Sequence, residues 1–171
     1  MAAPAGSTDT FHFQDDGRVP NSRLPLIVRR GAITPESEDP AATFERIFAQ
    51  NGWTHSWRDG IFDYHHYHST AHEVLGVARG RAEVRFGGEG GRTLAVAPGD
   101  VVVIPAGVAH CLVEGSRDLL VVGAYAEGRD WDIVRDPGAI AAARERIAAV
   151  PPPRTDPIDG PDGPLTNLWT A

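Results

Sequence analysis

GIFDYHHYHSTAHEVLGVARG, residues 60–80, and GDVVVIPAGVAH, residues 99–110, are the stretches on which the reading of this chain turns. Between Gly60 and His110 stand His65, His66, His68, His72 and His110, five of the seven histidines, together with Glu73. Imidazoles and a carboxylate at this density are donors that suit a divalent transition metal.

Ile61 to His68 reads as a strand, and His66 and His68, two apart on it, point to one face. Further ligands then come from neighbouring strands. His110 is the candidate from a distant segment, after an apolar strand and the turn Pro105-Ala106-Gly107. The fourth ligand stays open at this level. Unbroken alternation carries His72 to the ligand face, whereas a bulge at Ser69-Thr70 resets the parity in favour of Glu73. His65 and Tyr67 fall out of phase and are expected on the outer face. Tyr64 is in phase with His66, so its hydroxyl is a candidate to line the pocket and donate a proton.

Outward from this stretch the chain reads as short strands separated by Gly and Pro turns. Phe11–Phe13, Leu26–Val28, Trp53–Trp57, Glu73–Ala78, Arg81–Phe86, Thr93–Ala97, Val101–Ile104 and Leu119–Tyr125 are the expected strands. Asp59-Gly60 is a hairpin-turn signal. Regular short strands of this kind predict an all-β sandwich or barrel. A helix is expected at about 40–50, with Asp39 as N-cap, Pro40 at its first position, Phe44, Ile47 and Phe48 on one face, and Asn51-Gly52 as its stop. A second is expected at about 137–150, ended by Pro151-Pro152-Pro153. The division that follows is a disordered tail at 1–10, one domain at 11–150 with its barrel core at about 53–126, and a Pro-rich C-terminal arm at 151–171 anchored by Leu165, Leu168 or Trp169.

The net charge of −7 argues against nucleic acid or an anionic membrane surface as a partner. All 16 basic residues are Arg, so no lysine Schiff base or lysine general base is available. The single cysteine, Cys111, excludes an intrachain disulfide. No apolar run approaches the length of a membrane span. Met1 to Thr10 has neither a basic start nor an apolar h-region, so no signal peptide is expected and the expected location is cytoplasmic.

The two quoted stretches resemble the paired motifs of the cupin superfamily. Gly60, five residues, His66-Tyr67-His68, four residues, Glu73, six residues and Gly80 are similar to the first motif. Gly99, five residues, Pro105-Ala106-Gly107, two residues and His110 are similar to the second. Where that motif ends in Asn this chain has Glu114, a departure at a position that is not a ligand. Asp16-Gly17, Pro20-Asn21, Asn51-Gly52-Trp53, His65 to Ser69 and the tail from Asp156-Pro157 to Gly163-Pro164 extend the likeness to the small bacterial YjlB-like cupins, over nearly the whole chain. The resemblance implies a double-stranded β-helix, a jelly-roll barrel, with two flanking short α-helices. It selects Glu73 over His72 and implies His66, His68, Glu73 and His110 as ligands of one divalent transition metal, Fe, Mn, Ni, Co, Cu or Zn. It also implies a homodimer with a small-molecule ligand. The expected function is a metal-dependent enzyme of oxygenase or isomerase type, the alternative a non-catalytic module that binds or senses a small molecule or metal.

Overall fold

The structure is a computed structural model and describes residues 5–170. Nine strands run β1 (Thr8–Phe13), β2 (Ser22–Arg29), β3 (Trp53–Asp59), β4 (Glu73–Arg79), β5 (Ala82–Phe86), β6 (Arg92–Val96), β7 (Val101–Ile104), β8 (His110–Gly115) and β9 (Leu120–Ala126). They form two antiparallel sheets, a six-stranded one in the order β1-β2-β7-β4-β9-β3 and a three-stranded one in the order β6-β5-β8. Non-sequential neighbours with every pair antiparallel are the mark of the jelly-roll class.

The alternation of side chains divides each central strand between two cores. Leu26 and Val28, Leu75 and Val77, Val102 and Ile104, and Val121 meet Val84, Phe86 and Leu94 of the smaller sheet, filling the space between the sheets. Their neighbours Ile27, Val74, Val101, Val103, Val122 and Ala124 face the other way. That outer face is covered by α1 (Pro40–Gln50), whose Phe44 and Phe48 are fully buried. Asp39 caps α1 by accepting the Ala42 N–H at 3.3 Å, with Pro40 in the first turn. Gly76 of β4 lets the helix dock, because a Cβ there would run into the Phe44 ring.

The short 3-10 turn Pro137–Ala139 leads into α2 (Ile140–Ala149), and α3 (Pro164–Leu168) closes the chain. The C-terminal arm is part of the outer core. Leu165 and Trp169 are buried in it, and Trp169 donates its indole N–H to the Pro25 carbonyl at 2.8 Å. No helix among the described residues is long and apolar enough to cross a membrane.

Several elements differ from expectation. β1 begins at Thr8, inside the stretch expected as a disordered tail, of which residues 1–4 lie outside the described residues. β2, outside the expected barrel core, pairs with β7 in the middle of the large sheet. Ile61–His68 is not a regular strand. Asp59-Gly60 makes no hairpin either, because β3 and β4 both pair with β9, and residues 60–72 cross from one to the other. β8 was not expected. It is an edge strand whose burial fades from His110 to Glu114, so it carries little alternation to read.

Candidate metal centre

The crossing segment runs beside the free edge of β8. His66 and His110 exchange backbone hydrogen bonds, the Leu112 N–H reaches the Phe62 carbonyl, and the Gly107 N–H reaches the His68 carbonyl. These bonds bring His66 and His68 over His110. Glu73 opens β4 on its inner face, in line with Leu75 and Val77. The break between His68 and β4, bends at Ser69-Thr70, is what turns Glu73 rather than His72 inward.

The donor atoms of His66, His68 and His110 lie within 4.8 Å of one another, and all three residues are buried. Each Nδ1 faces a backbone carbonyl. His66 meets Tyr64 O at 3.0 Å, His110 meets Val108 O at 3.1 Å, and His68 meets Asp132 O. A carbonyl only accepts, so Nδ1 carries a proton in each ring and Nε2 is the nitrogen turned to the centre, able to offer its lone pair to a metal or, in His68 and His110, to carry a second proton toward Glu73. The Glu73 Oε1 stands 3.3 Å from His68 Nε2 and 3.3 Å from His110 Nε2. Neighbouring donors around a metal with bonds of about 2.1 Å lie roughly 3.0–3.4 Å apart, and Glu73 stands at that spacing from His68 and His110, while the three histidines form the group whose donors lie close enough together to share an ion. Fixed tautomers supported by backbone carbonyls are what metal-ligating histidines require.

The electrostatics follow from this packing. Burial would raise the Glu73 carboxyl, but the charge of His68 and hydrogen bonds from His110 and His68 outweigh it and hold the carboxyl well below its usual range. Burial, then the neighbouring His110, pushes His66 down to about 3. Burial opposes protonation of His68 as well, yet the Glu73 carboxylate overcomes it and raises that group.

His72 is placed apart from this cluster. Its Nδ1 accepts the Ala106 N–H at 2.9 Å, and its Nε2 donates to the Pro151 carbonyl at 3.2 Å. Its ring lies against Trp169 at 4.8 Å. Both nitrogens are occupied, and burial pushes the group down to about 4. Tyr67 is buried under α2 with Ala109, Val134 and Ala143. Tyr64 does not line the cavity described next. Its ring stacks on Phe62 at 4.9 Å with the Arg135 guanidinium 3.6 Å from its centroid.

The cluster forms the floor of a cavity of about 350 Å³ whose walls include Trp57, Leu75, Tyr125 and Trp131. Tyr125 is the phenol that sequence reasoning did not single out. It pairs with Glu73 across β4 and β9, so both side chains share the inner face. The Tyr125 hydroxyl accepts the Trp57 indole N–H at 3.0 Å. Burial, then the charge of Glu73, holds its phenol far above the usual range. Gly123 makes room for Trp57, since a Cβ there would overlap the indole. The only signal available beforehand was strand pairing, because Tyr125 and Glu73 sit at matched ends of strands far apart in sequence.

Comparison with known proteins gives three findings. Residues 59–122 match the family described as Cupin domain. The chain is 41% identical, over 95% of its length and 96% of the relative's, to the uncharacterized protein YjlB of Bacillus subtilis (strain 168). Among solved structures it resembles an acireductone dioxygenase from Bacillus anthracis with a cadmium ion in its active centre, at 16% identity over 69% of this chain and 77% of that one, with a TM-score of 0.39. It also resembles a cupin 2 domain-containing protein from Halorhodospira halophila, at 16% identity over 86% and 81% of the two chains, with a TM-score of 0.35.

Proposed function

This chain belongs to the cupin family, and from that premise we propose that it is a metal-dependent enzyme, of oxygenase or isomerase type, acting on a small molecule in the cavity above the histidines. One observation carries the reading. Three imidazoles with their Nδ1 atoms tied to carbonyls turn their Nε2 atoms, beside a buried carboxylate, toward an open cavity. His66, His68, Glu73 and His110 would hold one divalent ion, drawn from Fe, Mn, Ni, Co, Cu or Zn. An ion held there supplies Lewis acidity and a template for a substrate's oxygen atoms.

The rest of the site is the chain's own work. Glu73 brings negative charge that offsets a cation in a buried place. Trp57 orients the Tyr125 hydroxyl by donating to its oxygen, which leaves the phenolic proton directed at the floor of the cavity. Tyr125 therefore takes the proton-donating role for which the sequence offered Tyr64 as a candidate. Leu75, Trp57 and Trp131 make the walls above the floor largely apolar. A homodimer in the cytoplasm completes the proposal.

Elemental analysis of untagged protein tests the site, with about one transition-metal ion per chain expected. Oxygen uptake in the presence of candidate substrates separates an oxygenase from an isomerase. Tyr125→Phe should keep the metal and lower turnover roughly 10²-fold or more, as expected for loss of a proton donor. Full turnover in that variant removes Tyr125 from the mechanism. A metal-loaded protein that binds small molecules and turns none over would establish the non-catalytic alternative. Light scattering that returns the mass of one chain at micromolar concentration would refute the dimer, and recovery outside the cytosolic fraction would refute the location.

A further inference from the structure

Five large hydrophobic side chains are exposed among the described residues: Phe62, Val113, Trp131, Ile133 and Leu168. Three of them, Phe62, Trp131 and Ile133, belong to the lining of the one cavity above the histidines. They come from two separate segments, so their convergence is not the accident of one apolar run. Exposed apolar surface gathered at one place marks a binding site. Phe62 sets its ring edge-on to His66 at 5.3 Å, and Trp131 sets its ring edge-on to His68 at 5.9 Å. Trp131 also stacks on Tyr125, with ring centroids 5.4 Å apart and planes 15° from parallel.

The charges on the lining point the same way. Apart from the histidines, Arg58 is its one cation among the described residues, and that guanidinium is turned to Asp39 and Glu45, with four hydrogen bonds among them. Arg135, outside the lining, lies on the Tyr64 ring. Asp59 adds a carboxylate to the lining, and the whole chain carries a net charge of −7. A ligand with an anionic body would enter against this field with no lining guanidinium turned toward it. The volume of about 350 Å³ is small for a ligand pocket and holds a molecule of one or two rings.

We propose that this cavity takes a small planar aromatic molecule carrying adjacent oxygen donors, and discriminates against phosphorylated and polycarboxylate ligands. The ring packs against Trp131 and Phe62, and its oxygens reach the floor formed by His66, His68, Glu73 and His110. This inference rests on the metal-site reading for the oxygens and on the aromatic rim for the ring.

The test compares 4-methylcatechol with oxalate, two bidentate oxygen donors that differ in their bodies. Binding is measured by calorimetry on full-length protein loaded anaerobically with Mn(II), before and after chelation. The expected result is at least tenfold tighter binding of 4-methylcatechol than of oxalate. Trp131→Ala should weaken 4-methylcatechol about tenfold and leave oxalate and metal content unchanged. Trp131 is 45% exposed, so its truncation spares the core, and Val113→Ala serves as the control away from the lining. Equal or tighter binding of oxalate, or no effect of Trp131→Ala, would overturn the inference. Failure of the metal reading looks different: no Mn(II) is taken up, and 4-methylcatechol binds alike before and after chelation while remaining sensitive to Trp131→Ala.

Discussion

His72 and Glu73 are neighbours in sequence, both buried, and opposite in role. Glu73 sits within 3.3 Å of two imidazoles, whereas His72 ties the Pro105-Ala106-Gly107 turn to Pro151 through its two nitrogens. Alanine substitutions should separate them. His66→Ala and His110→Ala are expected to lower bound metal from about one to below about 0.2 per chain, because losing one imidazole of the set costs most of the affinity. His72→Ala should keep the metal and cost about 2–4 kcal/mol of stability, since it opens a void and leaves a buried N–H and carbonyl unpaired. Elemental analysis and chemical denaturation read the two effects, and metal retained by His66→Ala and His110→Ala would refute the assignment. At this scale the sequence was legible where spacing carries chemistry. His66, His68 and His110 follow from parity and motif, while parity alone left His72 and Glu73 undecided, because the bend at Ser69-Thr70 has no strong residue signal. Tyr125 was not legible, since its place beside Glu73 depends on a pairing between β4 and β9 that no local pattern encodes.

Among the elements, the central strands were the easiest to read and the edges the hardest. β4, β7 and β9 are apolar on both faces, because each lies between the inner core and the face under α1, and such runs announce themselves. The helix α1 was legible from its cap, its proline and its Phe44-Phe48 spacing. β8 and the crossing segment 60–72 were not, because one is an exposed edge and the other is held by scattered bonds to that edge. A consequence lies on β9. The absent side chain of Gly123 gives the Trp57 indole its place over the sheet, where it reaches the Tyr125 hydroxyl. Gly123→Ala should expel that indole and cost about 1–3 kcal/mol as overpacking, without loss of metal. Denaturant midpoints together with the tryptophan emission maximum check this, and an unshifted emission spectrum would show that Trp57 has not moved.

On the scale of the whole molecule, the candidate metal centre lies on the inner face of β4 and the C-terminal arm lies in the outer core. A ligand bound only by the folded chain stabilises it by about 2.7 kcal/mol at one hundred times its dissociation constant. Chelation should therefore lower Tm by roughly 5–10 °C, and calorimetric scans with and without chelator would detect it. The arm contributes differently. Asp156, nearly inaccessible, accepts the backbone N–H groups of Ile158, Asp159 and Leu165 and faces Arg29 of β2 at 3.7 Å. This holds the irregular Pro-rich segment in one shape, so Trp169 can fill the space beside His72 and bond to Pro25. Composition suggested an extended arm anchored by Leu165, Leu168 or Trp169; Leu165 and Trp169 are buried and Leu168 is exposed, and the partners they meet were not readable because no periodicity governs the arm. Replacing Trp169 by Ala removes a buried indole and a hydrogen bond, for an expected cost of about 3–5 kcal/mol. In a chain of this size that is a fall in Tm of roughly 10 °C. Bound metal at 25 °C should persist, because Trp169 touches His72 and not the four proposed ligands. A change in Tm under about 2 °C would mean that the arm rests on the outer core without supporting it, and loss of the metal would mean that His72 transmits the packing of the arm to Glu73.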